Sequence, residues 1–69
     1  MTVAVYKSNR KSQADRVDII QYNSDKKYRL YVIPCFGKTY ELPDVYNTFE
    51  EAEQAVFNLD KVFGHTKII

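Results

Sequence analysis

A single cysteine, Cys35, excludes an internal disulfide framework and any paired-thiol or zinc-knuckle chemistry, and a single histidine, His65, excludes a histidine metal cluster. Tryptophan is missing, and glycine and proline number only two each, so the chain is neither collagenous nor a low-complexity linker. No run approaches the roughly eighteen apolar residues of a membrane-crossing helix, and the N-terminus does not read as a signal peptide. The expectation is a cytoplasmic protein without a membrane partner. An excess of one charge is lacking too. Ten basic against nine acidic residues leave a formal +1, which withdraws the net-charge argument for a nucleic-acid or membrane partner. There is no phosphate-binding glycine loop and no metal-spaced ligand set, so neither catalysis nor a cofactor is expected.

What is present is a 69-residue chain, 45% apolar, with six tyrosines and four phenylalanines. That length makes one small domain spanning residues 1–69, which buries roughly 60% of the surface its unfolded chain exposes. At about 0.05–0.15 kcal/mol per residue its net stability falls near 3–10 kcal/mol. Without disulfides or metals, that stability must come from dense aromatic packing or from self-association.

Hydrophobic patterning orders the chain as four strands, a helix and a tail. Residues 2–6 are β-branched and aromatic and form the first strand; the polar stretch Lys7 to Asp15 is a basic loop. Over residues 16–43, antiparallel strands alternate with turns at Asn23-Ser24-Asp25 and at Gly37. Lys27 to Phe36 is the clearest of them, with Tyr28, Leu30, Val32 and Phe36 on one face and Arg29, Tyr31, Ile33 and Cys35 on the other. Pro34 cannot donate to a ladder and marks an edge or a bend. Thr48-Phe49-Glu50-Glu51 is a capping box that opens a helix over 48–63, whose stripe is Phe49, Ala52, Val56, Leu59 and Phe63, with Gly64 as its left-handed cap. Residues 64–69 are a short strand or a flap. The fold expected is α+β in two layers: an antiparallel sheet of three to five strands under one amphipathic helix, which lies over Val17, Ile19, Tyr28, Leu30, Val32, Tyr40 and Leu42.

The near-neutral sum hides a division. Residues 1–38 hold eight basic and three acidic side chains, whereas residues 39–69 hold two basic and six acidic. The basic half is the sheet and its loop, and the sheet face away from the helix carries Arg16, Tyr22, Arg29 and Tyr31. Arginine pairs with phosphates and base edges and tyrosine stacks on bases, so Arg10, Lys11, Arg16, Arg29, Tyr31 and Lys38 form a candidate nucleic-acid surface.

The run Lys27-Tyr28-Arg29-Leu30-Tyr31-Val32, then Gly37-Lys38, then Thr48-Phe49-Glu50-Glu51-Ala52-Glu53-Gln54-Ala55, resembles the three-strand-plus-helix DNA-binding modules of tyrosine integrases (the arm-type domains) and the AP2-like domains. The resemblance spans residues 16 to 63. It implies a sheet inserted into the DNA major groove, with Arg16, Arg29, Tyr31 and Lys38 at the matching sheet positions. A compact chain of this length is expected to be an accessory or regulatory factor, such as a phage or mobile-element protein.

A second reading belongs to another class. Phe57 points away from the helix stripe, beside Glu50, Glu53 and Lys61, so the helix or an open strand edge can engage a single protein target as an adaptor or inhibitor. Ile20 and Ile33 fall on the face opposite the helix, where the termini or a second copy of the chain would cover them; a homodimer suits either reading. Cys35 is expected as a buried structural thiol. His65 is expected beside the helix C-terminus, where the dipole favours it.

Overall fold

The alternation Tyr28-Leu30-Val32 needs an apolar partner on one face only, and the neighbouring strands supply it. In a computed structural model, which describes residues 1–10 and 15–69, the elements run β1 (Thr2–Ser8), β2 (Arg16–Gln21), β3 (Tyr28–Ile33), β4 (Tyr40–Glu41), α1 (Phe49–Leu59) and β5 (His65–Lys67). The strands form one antiparallel sheet in the order β4-β3-β2-β1-β5. α1 covers one face of it, in an α+β two-layer arrangement.

Register decides which side chains meet. Val17 pairs with Val32 and Ile19 with Leu30 on the helix face, while Asp18 pairs with Tyr31 and Ile20 with Arg29 on the other. Tyr6 and Ala4 extend the helix-facing set across β1, with a bulge between Thr2 and Ala4 that changes the register there. The core is Ala4, Tyr6, Val17, Ile19, Leu30, Val32, Ala52 and Val56, all buried, with Tyr28, Leu42, Tyr46, Phe49 and Ala55 packed half-buried against it. A core this small leaves little reserve.

The turns follow their residues. The Asp25 carboxylate accepts from the Lys27 amide at 2.9 Å, and Lys26 takes a left-handed φ of 59°, an unusual conformation for a residue that carries a Cβ. Gly37, at φ 103°, turns the chain after Pro34 has ended β3. Phe36 therefore lies beyond the strand, 83% exposed, and not on the core face. Tyr40 is 52% exposed in a β4 of only two residues, so the helix does not cover it.

The helix begins as the capping box requires. Thr48 is extended, and its hydroxyl accepts from the Glu51 amide at 3.2 Å. The reciprocal bond goes one residue further back than expected: the Glu51 carboxylate accepts from the Asn47 amide at 3.3 Å. The end comes earlier than residue 63. Asp60 leaves helical geometry and its side chain accepts from the Phe63 amide, which starts a separate turn that the Gly64 amide closes on the Asp60 carbonyl. Gly64, at φ 74°, thus caps that turn and not the helix, and Phe63 drops out of the apolar stripe to become half exposed.

Residues 65–69 join the sheet instead of folding over it. Ser8 pairs with His65 and Tyr6 with Lys67, and the Ile68 amide donates to the Val5 carbonyl. Met1 likewise pairs in plane, exchanging bonds with Gln21. Neither terminus crosses Ile20 or Ile33, which stay half-buried on the open face. Among the described residues no helix is long and apolar enough to cross a membrane.

Leu30 is fully buried at the centre of the sheet. Leu30→Ala should remove about 2–5 kcal/mol, enough to unfold much of the population of a domain this small, measured as the shift in urea midpoint at constant slope.

Candidate functional site

On the open face, Arg16 reaches along β2 and grips Asp18 with two bonds, Nε to Oδ1 at 2.8 Å and a terminal nitrogen to Oδ2 at 2.9 Å. This keeps the Asp18 side chain nearly buried although it faces away from the helix. Arg29 does the same with Asp25 across the turn, at 2.9 and 3.4 Å, while its guanidinium lies 4.1 Å from the centre of the Tyr22 ring. The Tyr22 hydroxyl then meets that of Tyr31 at 3.1 Å and donates to the Glu41 carboxylate at 3.0 Å. The result is a continuous polar chain from Asp25 to Glu41, and both arginines of the open face already hold a carboxylate.

This wiring shifts proton affinities. The Arg29 guanidinium and the Lys27 amide hold the Asp25 carboxyl down at about 2. Bonds to Tyr31 and to Glu41 push the Tyr22 phenol up to about 12. On the helix side, burial and then the Glu53 carboxylate, which accepts from the Tyr6 hydroxyl at 2.6 Å, raise the Tyr6 phenol far above its usual range.

The helix residues expected to bind a protein part company. Glu53 faces the β1–β5 side, where it accepts from Tyr6 and meets Lys67 at 3.7 Å. Phe57 sits on that flank, edge-on to the Tyr6 ring at 5.8 Å and 39% exposed, so it is partly packed and not a free anchor. Glu50 turns to the outer side, beside Tyr46, Gln54 and Ala55. Lys61 lies past the helix, in the turn that follows it.

Strand direction brings a different set together. β1 ends, β2 begins, β3 ends, β4 begins, α1 ends and β5 begins at one end of the sandwich. Thr66, Lys7, Arg16 and Ile33 form the last cross-strand row of the open face there. Beyond it project the 34–39 loop with exposed Phe36 and Lys38, and the 60–64 turn with Lys61, Val62 (86% exposed) and Phe63. Arg10 joins them, bonded to Asp60 at 3.1 Å and stacked 5.0 Å over the Phe63 ring. Asp15 ties this end together, its carboxylate accepting from the Cys35 amide at 3.2 Å. Among the described residues Lys7, Lys38 and Lys61 make no ion pair.

Of the six residues expected on a nucleic-acid surface, Arg16, Arg29 and Tyr31 share the open face, Arg10 and Lys38 belong to the loop end, and Lys11 lies outside the described residues. Cys35 is exposed, not buried, because the bend after Pro34 carries it out of the sheet. His65 is in β5, beyond the helix end, half-buried with its Nδ1 enclosed and without a hydrogen-bond partner among the described residues. No protein family, curated protein or solved structure matches this chain.

The tyrosine network carries a pH signature. A phenol raised from 10.0 to about 12 by the fold stabilises the native state fully below pH 10. That contribution falls as pH climbs through the interval, because the unfolded chain ionises first. Tyrosinate absorbance should show a step near pH 12 on the native protein that Tyr22→Phe removes, leaving the later ionisation of Tyr6; loss of the network through Glu41→Gln should move the step down.

Proposed function

We propose that this is a small non-enzymatic nucleic-acid-binding module, and that it grips a single strand with the loop end of the sandwich. The observation that carries the reading is that three lysines in no ion pair among the described residues belong to this end, Lys7 in the last row of the open face, Lys38 in the 34–39 loop and Lys61 in the 60–64 turn, together with the exposed ring of Phe36. Lysines neutralise phosphates and release counterions, and an unburied phenyl ring offers a face on which a base stacks. Stacked bases of a duplex do not present that face to a loop, so the ring favours single-stranded DNA or RNA.

The open sheet face supports less. Arg16 and Arg29 would have to give up bidentate carboxylates before taking phosphates, and Asp18, Asp25 and Glu41 would repel a backbone laid across the strands. The insertion of a sheet into the major groove, which the integrase resemblance implies, therefore fits this face poorly.

The test is a titration of labelled single-stranded DNA and RNA dodecamers at several salt concentrations. Affinity should fall steeply with salt. Lys38→Glu with Lys61→Glu should weaken binding at least tenfold and flatten the slope by about 0.7 for each phosphate left without its lysine. Phe36→Ala should cost about 1–3 kcal/mol of binding and leave the urea midpoint unmoved. Arg29→Gln should leave affinity intact. Absence of binding at the lowest salt, or a slope indifferent to both lysines, would sink the reading.

A further inference from the structure

The surface least used by the fold is the outer flank of α1. One side of the helix is filled by Tyr6, Phe57 and Lys67, but the side towards β4 is not. Between the helix and the segment that precedes it runs an open groove of about 710 Å³, lined by Tyr46, Glu50, Glu51, Gln54, Ala55 and Leu59 among others. Its floor is apolar: Ala55 and Leu59 lie one turn apart, Leu59 is 47% exposed, and the Tyr46 ring closes the wall. Its rim is acidic. Glu50 and Glu51 stand at one end, and Asp44 lies close enough to Tyr46 to bear on its hydroxyl. No lysine or arginine lines the groove, and none occurs anywhere in α1.

We infer that this groove docks an amphipathic helix of a partner protein, with two apolar side chains four residues apart set over Ala55 and Leu59 and lysines or arginines facing Glu50 and Glu51. Charge complementarity selects that occupant. A second copy of this chain would bring α1, the single helix among the described residues, and that helix is acidic. Nucleic acid and anionic lipid are repelled by the same carboxylates. An added strand has little to pair with, because β4 spans two residues, the Leu42 amide is already bonded to the Leu30 carbonyl, and Pro43 has no N–H. A helix lies in a groove through side chains alone and needs no free backbone edge. The length fits as well, since the eleven residues of α1 extend about 16 Å, matching roughly eleven residues of a partner helix laid alongside. This site is separate from the lysines of the loop end and holds whether or not that end binds nucleic acid.

The probe is a synthetic helical peptide of lysine and leucine with leucines at i and i+4, set against a glutamate and leucine peptide of the same apolar spacing. Each is titrated into the full isotope-labelled chain and followed by amide shifts. The basic peptide should saturate and move the amides of Gln54, Ala55, Asn58 and Leu59, and the acidic one should not bind. Glu50→Lys with Gln54→Lys, both at exposed positions where circular dichroism should report an unchanged fold, should weaken the basic peptide at least tenfold. Lys7→Glu, on the sheet face opposite the helix, should leave its affinity unchanged. Shifts confined to the open sheet face or the loop end, equal binding of the acidic peptide, or indifference to the charge reversal would overturn the inference. So would self-association by light scattering that Gln54→Lys abolishes, which would give the groove to a second copy.

Discussion

Ala52 and Val56, two small residues, hold the layers together. They are the fully buried positions of α1, and they sit in one cluster with Ile19 and Leu30 at the middle of the sheet. Small side chains let the helix lie close, and its eleven residues pack mainly on two strands. It packs on β3 and β2, which leaves both sheet edges and one helix flank for other elements to cover. On the β1 side Tyr6, Phe57 and Lys67 do so, because the tyrosine is long enough to reach Glu53 and to meet the phenyl ring. On the β4 side Leu42 and Tyr46 are only half-buried, and the groove is what remains.

The ion pairs act on charge more than on stability. Arg16 with Asp18 and Arg29 with Asp25 are close in sequence, two residues apart on one strand face and four apart across a turn. Partly exposed pairs of this kind contribute about 0–1 kcal/mol. Their effect is to remove the formal excess of positive charge from the open face, so that the lysines outside any ion pair stand at its edge and beyond. Arg10 differs, since its bond to Asp60 joins the end of β1 to the turn after the helix, fifty residues on, and anchors Phe63 beneath it.

The sheet and helix were legible because their signals are local and periodic. Alternation in residues 28–32 and the Thr48–Glu51 cap report a preference that packing then reinforces. The helix end was not legible: Phe63 fits the apolar spacing, but Asp60 accepts from the Phe63 amide and starts a new turn, a choice between a backbone and a side-chain acceptor that periodicity does not record. The face assignment of Arg16, Arg29 and Tyr31 could be read from alternation. Their partners could be seen only in part. Asp25 and Arg29 share an i, i+4 spacing, but the reach of Arg16 to Asp18 depends on rotamers, and the Tyr22–Tyr31–Glu41 contacts depend on strand register. The loop end was legible only in part, through Arg10 and Lys38. Lys7, the Phe36–Lys38 loop and Lys61 lie far apart along the chain, and only the common direction in which β1, β3 and α1 run brings them to one end.

That gathering explains how a chain with a formal charge of +1 sustains two surfaces of opposite sign. Glu50 and Glu51 stand at the first turn of α1 and Lys61 just past its last, a helix length of about 16 Å away. Screening at physiological salt acts over about 8 Å, so a ligand at either end feels the local charge and not the sum. The helix dipole opposes the division slightly, with its positive end beside the glutamates, but its effect fades within a turn whereas the carboxylates project into solvent. Net charge therefore says little about the local field at either end of this molecule. The relevant quantity is how the backbone directions of six short elements sort the charges between two ends.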